Sequence, residues 1–401
     1  MKNQPLWTQE FLGMSFSNFF QYMAHYSLIA TLPVFIMENL QGDEWQAGLA
    51  MTFFQIGAVI CRPFAGKWID SYNKRKMAFF SLGMFLIISI LYLLANNLPF
   101  LLGIRLLHGA VFAIGTTTAA TLAVLVLPTQ RKGEGIGYFA VFSNLAMVVG
   151  PFCGLLIISQ YNFFALYCGI VFLAILAFWC GNRKKLSDAI IQPLPKKNST
   201  FKITNFIEPK ALSMALIGGF VFFAYAGVLV FIPLYTKMLH LSAYTSIFFA
   251  VFASVIVLTR PIIGKIFDRI GANAVIYPCF FFFFAGLLYL SRIEDLKTLL
   301  IAGAIIGIGF GGLSPAFQTL AIQNSPRARA GVATATYFFA LDVSVGLGSF
   351  FLSLTAVQIG YRCMYIATAV LLIFTMILYY LLSRKKNIKS PVHSYQHSSQ
   401  S

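Results

Sequence analysis

RPFAGKWID, at residues 62–70, is the stretch of sequence around which the chain is organised, because it occurs twice. The second copy, RPIIGKIFD, occupies residues 260–268, which is 198 positions later (260 − 62). Each copy follows a long apolar run and keeps arginine, proline, glycine, lysine and aspartate at the same spacing. A repeat of this kind predicts that the chain contains two related structural units.

Other residues repeat at the same interval. These first-half residues have identical counterparts 198 positions later: Gly109, Thr121, Leu122, Pro128, Arg131, Gly133 and Gly150. Leu32-Pro33 matches Ile232-Pro233 at an interval of 200 (232 − 32), so a small length change separates this pair from the others. We therefore predict two similar halves of about 200 residues each, running in the same direction.

The composition predicts a membrane protein. Of the 401 residues, 59% are hydrophobic and only 10% are charged, too few to give a soluble protein a polar surface. A helix needs about 20 apolar residues to cross a bilayer, and backbone in lipid must form helices or a closed barrel. The long, continuous apolar runs favour helices. Twelve are predicted, at residues 11–37, 45–66, 77–95, 98–124, 134–158, 163–181, 211–236, 243–264, 273–291, 298–322, 329–356 and 361–383.

The predicted fold is an all-α polytopic membrane protein with six transmembrane helices in each half. We assign residues 1–182 to the N-terminal half, 183–210 to a cytoplasmic linker, 211–384 to the C-terminal half and 385–401 to a disordered cytoplasmic tail. The linker is polar and contains several prolines, which distinguishes it from the apolar segments on either side. No cleavable signal peptide is predicted at the N-terminus.

Lysine and arginine residues predict the orientation. With the N-terminus in the cytoplasm, 24 of the 29 basic residues (29 − 4 − 1) lie on the cytoplasmic side, four lie outside and Arg105 lies within helix 4. The positive-inside rule then places both termini in the cytoplasm of a multi-pass plasma-membrane protein. The net charge of +17 is interpreted as basic helix flanks beside anionic lipid, and not as a nucleic-acid site.

The stretch GKWIDSYNKRK, residues 66–76, resembles the signature G-x-x-x-D-R-x-G-x-R-K that transporters of the major facilitator superfamily carry between helices 2 and 3. Ser71 and Asn73 replace the usual arginine and second glycine. In that family the stretch gates the cytoplasmic face through charged contacts between the halves. The resemblance implies gating roles for Arg62, Gly66, Asp70, Arg75, Arg260, Gly264, Asp268 and Arg269. The alternative is a basic turn that only fixes topology.

Two further stretches resemble signatures of this superfamily. Arg105, His108 and Gly109 follow the pattern R-x-x-H-G, which is associated there with proton transfer, although Arg105 could instead form a structural pair between helices. The stretch AMVVGPFCG, residues 146–154, is similar to the g-x-x-x-G-P-x-x-G-G signature of the drug:proton antiporter branch. It implies a bendable helix 5 at the residues Gly150, Pro151 and Gly154.

The resemblance implies two parallel-repeat six-helix bundles around a central cavity, which rock to open the cavity to each side in turn. We expect helices 1, 4, 7 and 10 to line this cavity. The candidate lining residues are aromatic or polar within otherwise apolar helices: Tyr22, His25, Tyr26, Arg105, Phe222, Tyr225 and Gln318.

Asp342 is the only acidic residue deep inside a predicted helix. A carboxylate isolated in hydrocarbon takes up a proton unless an arginine or histidine compensates its charge. We hypothesise that Asp342 is a coupling-proton site, alone or with His25 or Arg105, and His108 completes the candidate proton-coupling set. The alternatives are a fixed ion pair at Asp342 and a hydrogen bond from His25 to a helix carbonyl.

The leading functional prediction is proton-coupled efflux of a small amphiphilic or aromatic compound. The basic character of helices 1 and 4 is also consistent with a second hypothesis, the export of an anionic, zwitterionic or metal-chelating metabolite. An uncoupled facilitator or a nontransporting membrane sensor is the third possibility. An enzyme is not expected, since the sequence has no phosphate loop or metal cluster. The expected partners are a small-molecule substrate, protons and the bilayer, without nucleic acid or cofactor, and the expected state is the monomer usual for the family.

Overall fold

The computed structural model describes residues 5–42, 44–183, 205–241 and 244–385. All regular secondary structure in these ranges is helical. Most of the predicted linker and all but the first residue of the predicted C-terminal tail lie outside the described residues.

Eleven helices in the described ranges are long and apolar enough to cross a membrane, which confirms the prediction of a multi-pass membrane protein. They are α1 (Gln9–Glu38), α2 (Glu44–Ser71), α3 (Lys74–Leu91), α4 (Leu98–Val126), α5 (Lys132–Gln160), α6 (Phe163–Asn182), α7 (Pro209–Met238), α8 (Thr245–Arg269), α9 (Ala272–Leu290), α10 (Leu296–Gln323) and α11 (Ala330–Lys385).

Helix α11 contains two of the twelve predicted spans. It has 56 residues, but Gly360 interrupts it with φ 81° and ψ 163°, far from the α-helical values of about −63° and −42°. The glycine divides α11 into a first arm, 330–359, and a second arm, 361–385. Each arm exceeds the roughly 20 residues that a membrane span requires. The arms correspond to predicted helices 11 and 12, so the described residues contain all twelve spans.

Polar side chains define where several helices begin. The Asn73 side chain accepts hydrogen bonds from the backbone N–H groups of Arg75 and Lys76 and caps α3. Asn97 and Asn162 cap α4 and α6 in the same way. Such residues satisfy N–H groups that have no partner within the helix. Asn73 therefore has a structural role at the position where the family signature has glycine.

The described residues form two compact units. The first contains the chain up to Ala215 together with Gln318–Val343. In it, α2 packs along α4, α1 packs against α5 and α6, and α3 packs against α4 and α6. Gly57 of α2 and Gly109 of α4 bring these helices into backbone contact, because each faces a carbonyl of the other helix. The first unit thus includes the end of α10 and the beginning of α11.

The second unit contains Leu216–Phe317 and the described chain from Ser344 onward. Its interior is strongly aromatic, and buried tyrosines bond to neighbouring helices. Tyr365 donates a hydrogen bond to the Gly227 carbonyl at 3.2 Å, and Tyr379 donates to the Asn273 side chain at 2.6 Å. Assignment of the two sequence halves to separate domains on either side of residues 183–210 stays a prediction.

Candidate functional site

Asp70, in the last turn of α2, binds the first turn of α11. Its two carboxylate oxygens accept hydrogen bonds from the N–H groups of Gly331 and Val332, each at 2.9 Å. The first N–H groups of a helix lack intrahelical partners and carry a partial positive charge. The buried carboxylate satisfies these groups and is stabilised by them. The aspartate of the first repeated motif therefore caps α11 from a different helix.

Gly66 lies one turn before Asp70 and faces the same part of α11. A Cβ atom placed on Gly66 would lie 2.5 Å from the Ala335 Cβ atom and 2.9 Å from the Gly331 carbonyl oxygen. The absence of a side chain therefore permits the close approach of the two helices. We call this region the α2–α11 contact. It comprises Arg62, Gly66 and Asp70 of α2 and Gly331, Val332, Ala335 and Asp342 of α11.

Arg62 forms the membrane-embedded part of this contact. Its Nε atom lies 2.7 Å from a carboxylate oxygen of Asp342. Its Nη1 atom donates to the hydroxyls of Thr116 and Thr117, at 2.9 and 3.1 Å, and to the Ala113 carbonyl at 3.3 Å. The side chain of Arg62 is 3% exposed, whereas that of Asp342 is 22% exposed. Three acceptors on α4 thus hold the arginine, while the ion pair joins it to α11.

A second ion pair lies next to the start of α11. Arg329, which directly precedes α11, has its Nε atom 2.6 Å from a carboxylate oxygen of Glu208, just before α7. The backbone N–H of Glu208 also donates to the Thr336 hydroxyl at 2.9 Å. This pair was not predicted, because Glu208 lies within the predicted linker. The repeated arginine at positions 131 and 329 was the one available signal.

Arg105 is fully buried in a second cluster. Its guanidinium donates to the Ala50 carbonyl at 3.0 Å and to the Tyr92 hydroxyl at 3.4 Å, and it lies 4.5 Å from the centre of the Phe54 ring. The Tyr92 hydroxyl is also 2.9 Å from Nδ1 of His108. None of the ion pairs among the described residues involves Arg105. A carbonyl, a phenol and an aromatic face surround this charge.

Aromatic rings extend from this cluster along α1. The His25 ring stacks on Phe54 with ring centres 4.2 Å apart and lies 4.8 Å from the ring of Phe112. Tyr22 meets Phe112 edge-on at 5.0 Å and stacks with Tyr26 at 6.0 Å. Nδ1 of His25 is buried and has no hydrogen-bond partner among the described residues. The predicted helix 1 residues therefore lie together.

The aromatic row lies between the two charged groups. At one end, Arg105 lies 4.5 Å from the centre of the Phe54 ring, on which His25 stacks. At the other end, Arg62 donates to the Ala113 carbonyl, next in the chain to the Phe112 ring that Tyr22 contacts. The sequence hypothesis considered His25 or Arg105 as the group that works with Asp342. In the structure, the basic group that contacts Asp342 is Arg62, with Tyr22 beside the pair.

Four amide side chains have a buried atom without a hydrogen-bond partner in the described part of the chain. They are Oε1 of Gln21, Nδ2 of Asn144, Nε2 of Gln318 and Nδ2 of Asn324. Gln21 is fully buried and Gln318 is 5% exposed. Buried polar atoms are almost always hydrogen-bonded in folded proteins. These atoms are therefore candidates for contact with a polar ligand or water.

In the second unit, the predicted cavity residues belong to an aromatic stack. The Tyr225 ring lies 3.9 Å from that of Phe310, with an angle of 11° between their planes. Phe222 contacts the same Phe310 ring edge-on at 5.1 Å. Tyr225 is 5% exposed. Lining of a cavity by these residues stays a prediction.

The other predicted gating residues differ in exposure. Arg75 is exposed at the start of α3, and Arg269 is exposed at the end of α8. In the second motif, Arg260 and Gly264 are buried, and Asp268 is partly buried. Their gating role stays a prediction.

The predicted helix-bending residues lie where α5 packs on α1. Pro151 lies inside α5. The Gly150 carbonyl accepts a hydrogen bond of 2.7 Å from the Ser27 hydroxyl, and Gly154 faces Ser27 and Thr31. The glycines permit close packing at this position, while bending during function is untested.

Comparisons with known proteins identify the family. The family model described as Major Facilitator Superfamily matches residues 14–349 and 279–396. An uncharacterized MFS-type transporter of Methanocaldococcus jannaschii is 23% identical over 373 residues, covering 90% of this chain and 95% of the relative. The multidrug resistance protein MdtG of Escherichia coli O9:H4 is 24% identical over 346 residues, covering 82% of this chain and 83% of the relative.

The fold is also similar to that of a solved transporter. The crystal structure of the human organic anion transporter MFSD10 matches with a TM-score of 0.77 and 12% sequence identity, covering 94% of this chain and 100% of that one. At this level of identity the likeness concerns the fold alone. The family match agrees with the repeat, the helical spans and the α2–α11 contact. The chain therefore belongs to the Major Facilitator Superfamily and is a membrane transporter of that type rather than an enzyme.

Proposed function

We propose that this transporter exports small amphiphilic or aromatic compounds by alternating access and couples export to the entry of protons. The observation that carries the proposal is the partly buried ion pair between Arg62 and Asp342 within the membrane-spanning helices. An ionisable pair at membrane depth is costly and marks proton or substrate pathways. The name of the MdtG relative, a multidrug resistance protein, favours the same reading.

We propose that Asp342 is the partner of the pair that takes the proton. Asp342 is the more exposed partner, at 22%, whereas Arg62 is 3% exposed. A proton on Asp342 removes the attraction, yet Arg62 retains its hydrogen bonds to Thr116, Thr117 and Ala113. Protonation therefore releases α11 while α2 and α4 stay joined through the arginine.

Release of α11 is the proposed link between proton and gate. The remaining bonds across the α2–α11 contact, from Gly331 and Val332 to Asp70, lie in the last turn of α2. We propose that this contact closes the cytoplasmic end. Arg75 and the second motif, Arg260, Gly264, Asp268 and Arg269, complete the proposed gating set. Protonation of Asp342 favours the state open to the cytoplasm, where the proton leaves and the substrate binds.

The proposed substrate path follows the aromatic row of α1. Tyr22, Tyr26 and His25 offer ring faces, and Gln318 offers an amide nitrogen that has no hydrogen-bond partner among the described residues. Arg105, hydrogen-bonded to Tyr92 beside His108, is proposed to assist proton movement. Phe222 and Tyr225 are proposed to contact substrate from the second half. Gly150, Pro151 and Gly154 are proposed to let α5 bend during the transition.

A second candidate function is export of an anionic, zwitterionic or metal-chelating metabolite. Two buried arginines, Arg62 and Arg105, lie on either side of the aromatic row, whereas among the described residues Asp342 is the one carboxylate paired with either. Such a region favours a negatively charged group on the substrate. An uncoupled facilitator or a nontransporting sensor is the alternative without proton movement. We further propose a monomer in the plasma membrane with both termini in the cytoplasm.

The test uses purified protein in liposomes that contain a pH-sensitive dye. Cationic, anionic and zwitterionic aromatic compounds are added in turn, and the internal pH is recorded. The proposal predicts a pH change with one class of compound and its loss in Asp342→Asn. Substrate movement is followed separately with a labelled compound, so that uncoupled transport can be recognised.

Asp295→Asn is the matched control. Asp295 precedes α10 and accepts a 2.8 Å hydrogen bond from the Thr298 N–H. Its bonds from the backbone and side chain of Thr298 lower the pKa of Asp295, and asparagine caps a helix about as well. This variant should therefore transport normally. Substrate movement with no proton movement in the parent protein would refute the coupling and favour the facilitator.

A further inference from the structure

A groove of about 550 Å³ lies between α1 and α6 in the first unit, separate from the α2–α11 contact. Its walls are formed by Leu12, Phe16 and Phe20 of α1 and by Leu176, Trp179 and Arg183 at α6. These residues recur every three or four positions, so each helix contributes one continuous stripe. A volume of this size falls within the range of roughly 300–1,000 Å³ typical of ligand-binding sites.

The floor and walls of the groove differ in character. A Cβ atom on Gly13 would lie 2.8 Å from the Cys180 carbonyl oxygen, so the two helix backbones meet at the floor. The walls are apolar side chains that remain accessible, with Phe16 41% and Trp179 52% exposed. In a helix that crosses a membrane, such a surface faces hydrocarbon. The occupant that matches a long apolar groove in this position is an acyl chain.

A positive charge lies at one end of the groove. The exposed guanidinium of Arg183 lies 4.4 Å from the centre of the Trp179 ring. Arg183 takes part in none of the ion pairs within the described ranges. In the sequence, two lysines follow it directly, at positions 184 and 185. Tryptophan is enriched at the membrane–water interface, which is the depth of a phospholipid phosphate.

We propose that this groove binds an anionic phospholipid, with one acyl chain between α1 and α6 and the headgroup phosphate on Arg183. Basic pockets beside transmembrane helices recognise anionic headgroups, and each lysine or arginine near the surface contributes about a fivefold gain in affinity. Surrounding bulk lipid would show no such headgroup preference. The inference does not rest on the proposed transport function.

Tryptophan fluorescence tests the site directly. Trp7, Trp45 and Trp68 are replaced by phenylalanine, so that Trp179 is the remaining tryptophan of the four in the sequence. The full-length protein is placed in phosphatidylcholine bilayers with increasing amounts of brominated phosphatidylglycerol or brominated phosphatidylcholine. The proposal predicts that the anionic lipid quenches Trp179 at about fivefold lower mole fraction.

Two variants assign the preference to the groove. Arg183→Gln should abolish the preference for phosphatidylglycerol, whereas Lys76→Gln, an exposed basic residue at the start of α3, should leave it unchanged. Leu176→Phe should fill the groove and reduce quenching by both lipids. Leu354→Phe, at a site 46% exposed in the second unit, is its control and should have no effect.

Several outcomes would overturn the proposal. Equal quenching by both lipids in the parent protein would indicate ordinary solvation by bulk lipid. An undiminished preference in Arg183→Gln would place the anionic site elsewhere. If excess inorganic phosphate displaced the lipid, Arg183 would be a binding site for a soluble phosphate compound and not for a lipid headgroup. Each variant is compared with the parent protein only if both have the same thermal unfolding temperature, which excludes misfolded samples.

Discussion

Gly66→Ala is expected to open the α2–α11 contact without changing any charge. The added Cβ atom would lie 2.5 Å from the Ala335 Cβ atom and 2.8 Å from the Val332 Cα atom. Ordinary carbon contacts lie at about 3.5–4.0 Å, so the two helices must separate by about 1 Å. Such a shift would lengthen the 2.9 Å bonds at Asp70 beyond the range of a good hydrogen bond.

The size of the effect follows from the cost of overpacking. Extra methyl groups in a closely packed region cost about 1–3 kcal/mol. Here the cost applies only to the state in which α2 and α11 are in contact. A difference of this size changes the ratio of two conformations about 5- to 150-fold. The variant should therefore populate the state in which the contact is open.

Spin labels measure the opening directly. Cysteines replace the exposed residues Ser71, at the end of α2, and Ala328, just before α11, in a background without native cysteines. Pulsed electron resonance then gives the distance distribution between the labels in lipid nanodiscs. Gly48→Ala is the control, because Gly48 is also in α2 but has no atom within 4 Å of the added Cβ position. Identical distributions for Gly66→Ala and the parent would refute the packing argument.

Two further predictions concern the Glu208–Arg329 ion pair and the cluster around Arg105. Glu208→Gln should raise the population of the open state, measured with the same two labels, about fivefold relative to the closed state, because a partly exposed ion pair contributes roughly 1 kcal/mol. Arg329→Gln should have the same effect as Glu208→Gln, and combining the two changes should have little further effect. If the two effects instead added up in the combined variant, the residues would not form a direct pair. Arg105→Lys should lower the thermal unfolding temperature, because lysine cannot keep the fork geometry that reaches the Ala50 carbonyl. Arg75→Lys, at an exposed arginine, is the control. Equal unfolding temperatures for Arg105→Lys and Arg75→Lys would argue against a stabilising role of the Arg105 guanidinium.

The helical spans could be predicted because their signal is local. Twelve apolar runs gave twelve spans, and the differences concern where they end. Predicted helix 2 ended at residue 66, whereas α2 continues to Ser71. The final turn carries polar groups that lipid would not accept, but α11 buries Asp70 there and satisfies both of its oxygens. A tertiary contact thus extends the helix beyond its apolar run.

The partner of Asp342 could not be read from the sequence alone. Arg62 lies 280 positions away in the chain, and the rotation of one helix against another depends on packing along both. Hydropathy gives the depth of a residue in the membrane, but not the neighbour it faces. The repeat held an indirect signal: Arg62 corresponds to Arg260, whereas Asp342 corresponds to Asn144. The arginine is thus duplicated and the carboxylate is not.

In the proposed coupling, this asymmetry makes Asp342 the position at which a single proton acts. Moving a two-state equilibrium from 1:99 to 99:1 requires about 5.5 kcal/mol. Breaking a buried ion pair by removing one charge costs about 3–5 kcal/mol, and each hydrogen bond to a charged group contributes about 1.5–3 kcal/mol. Loss of the Arg62–Asp342 pair therefore supplies about 3–5 kcal/mol of this difference, whereas the bonds at Asp70 break on opening in both protonation states and add nothing to it. Because Asn144 carries no ionisable group, the proposed protonation would act on the α2–α11 contact without an equivalent at the corresponding position of the first half.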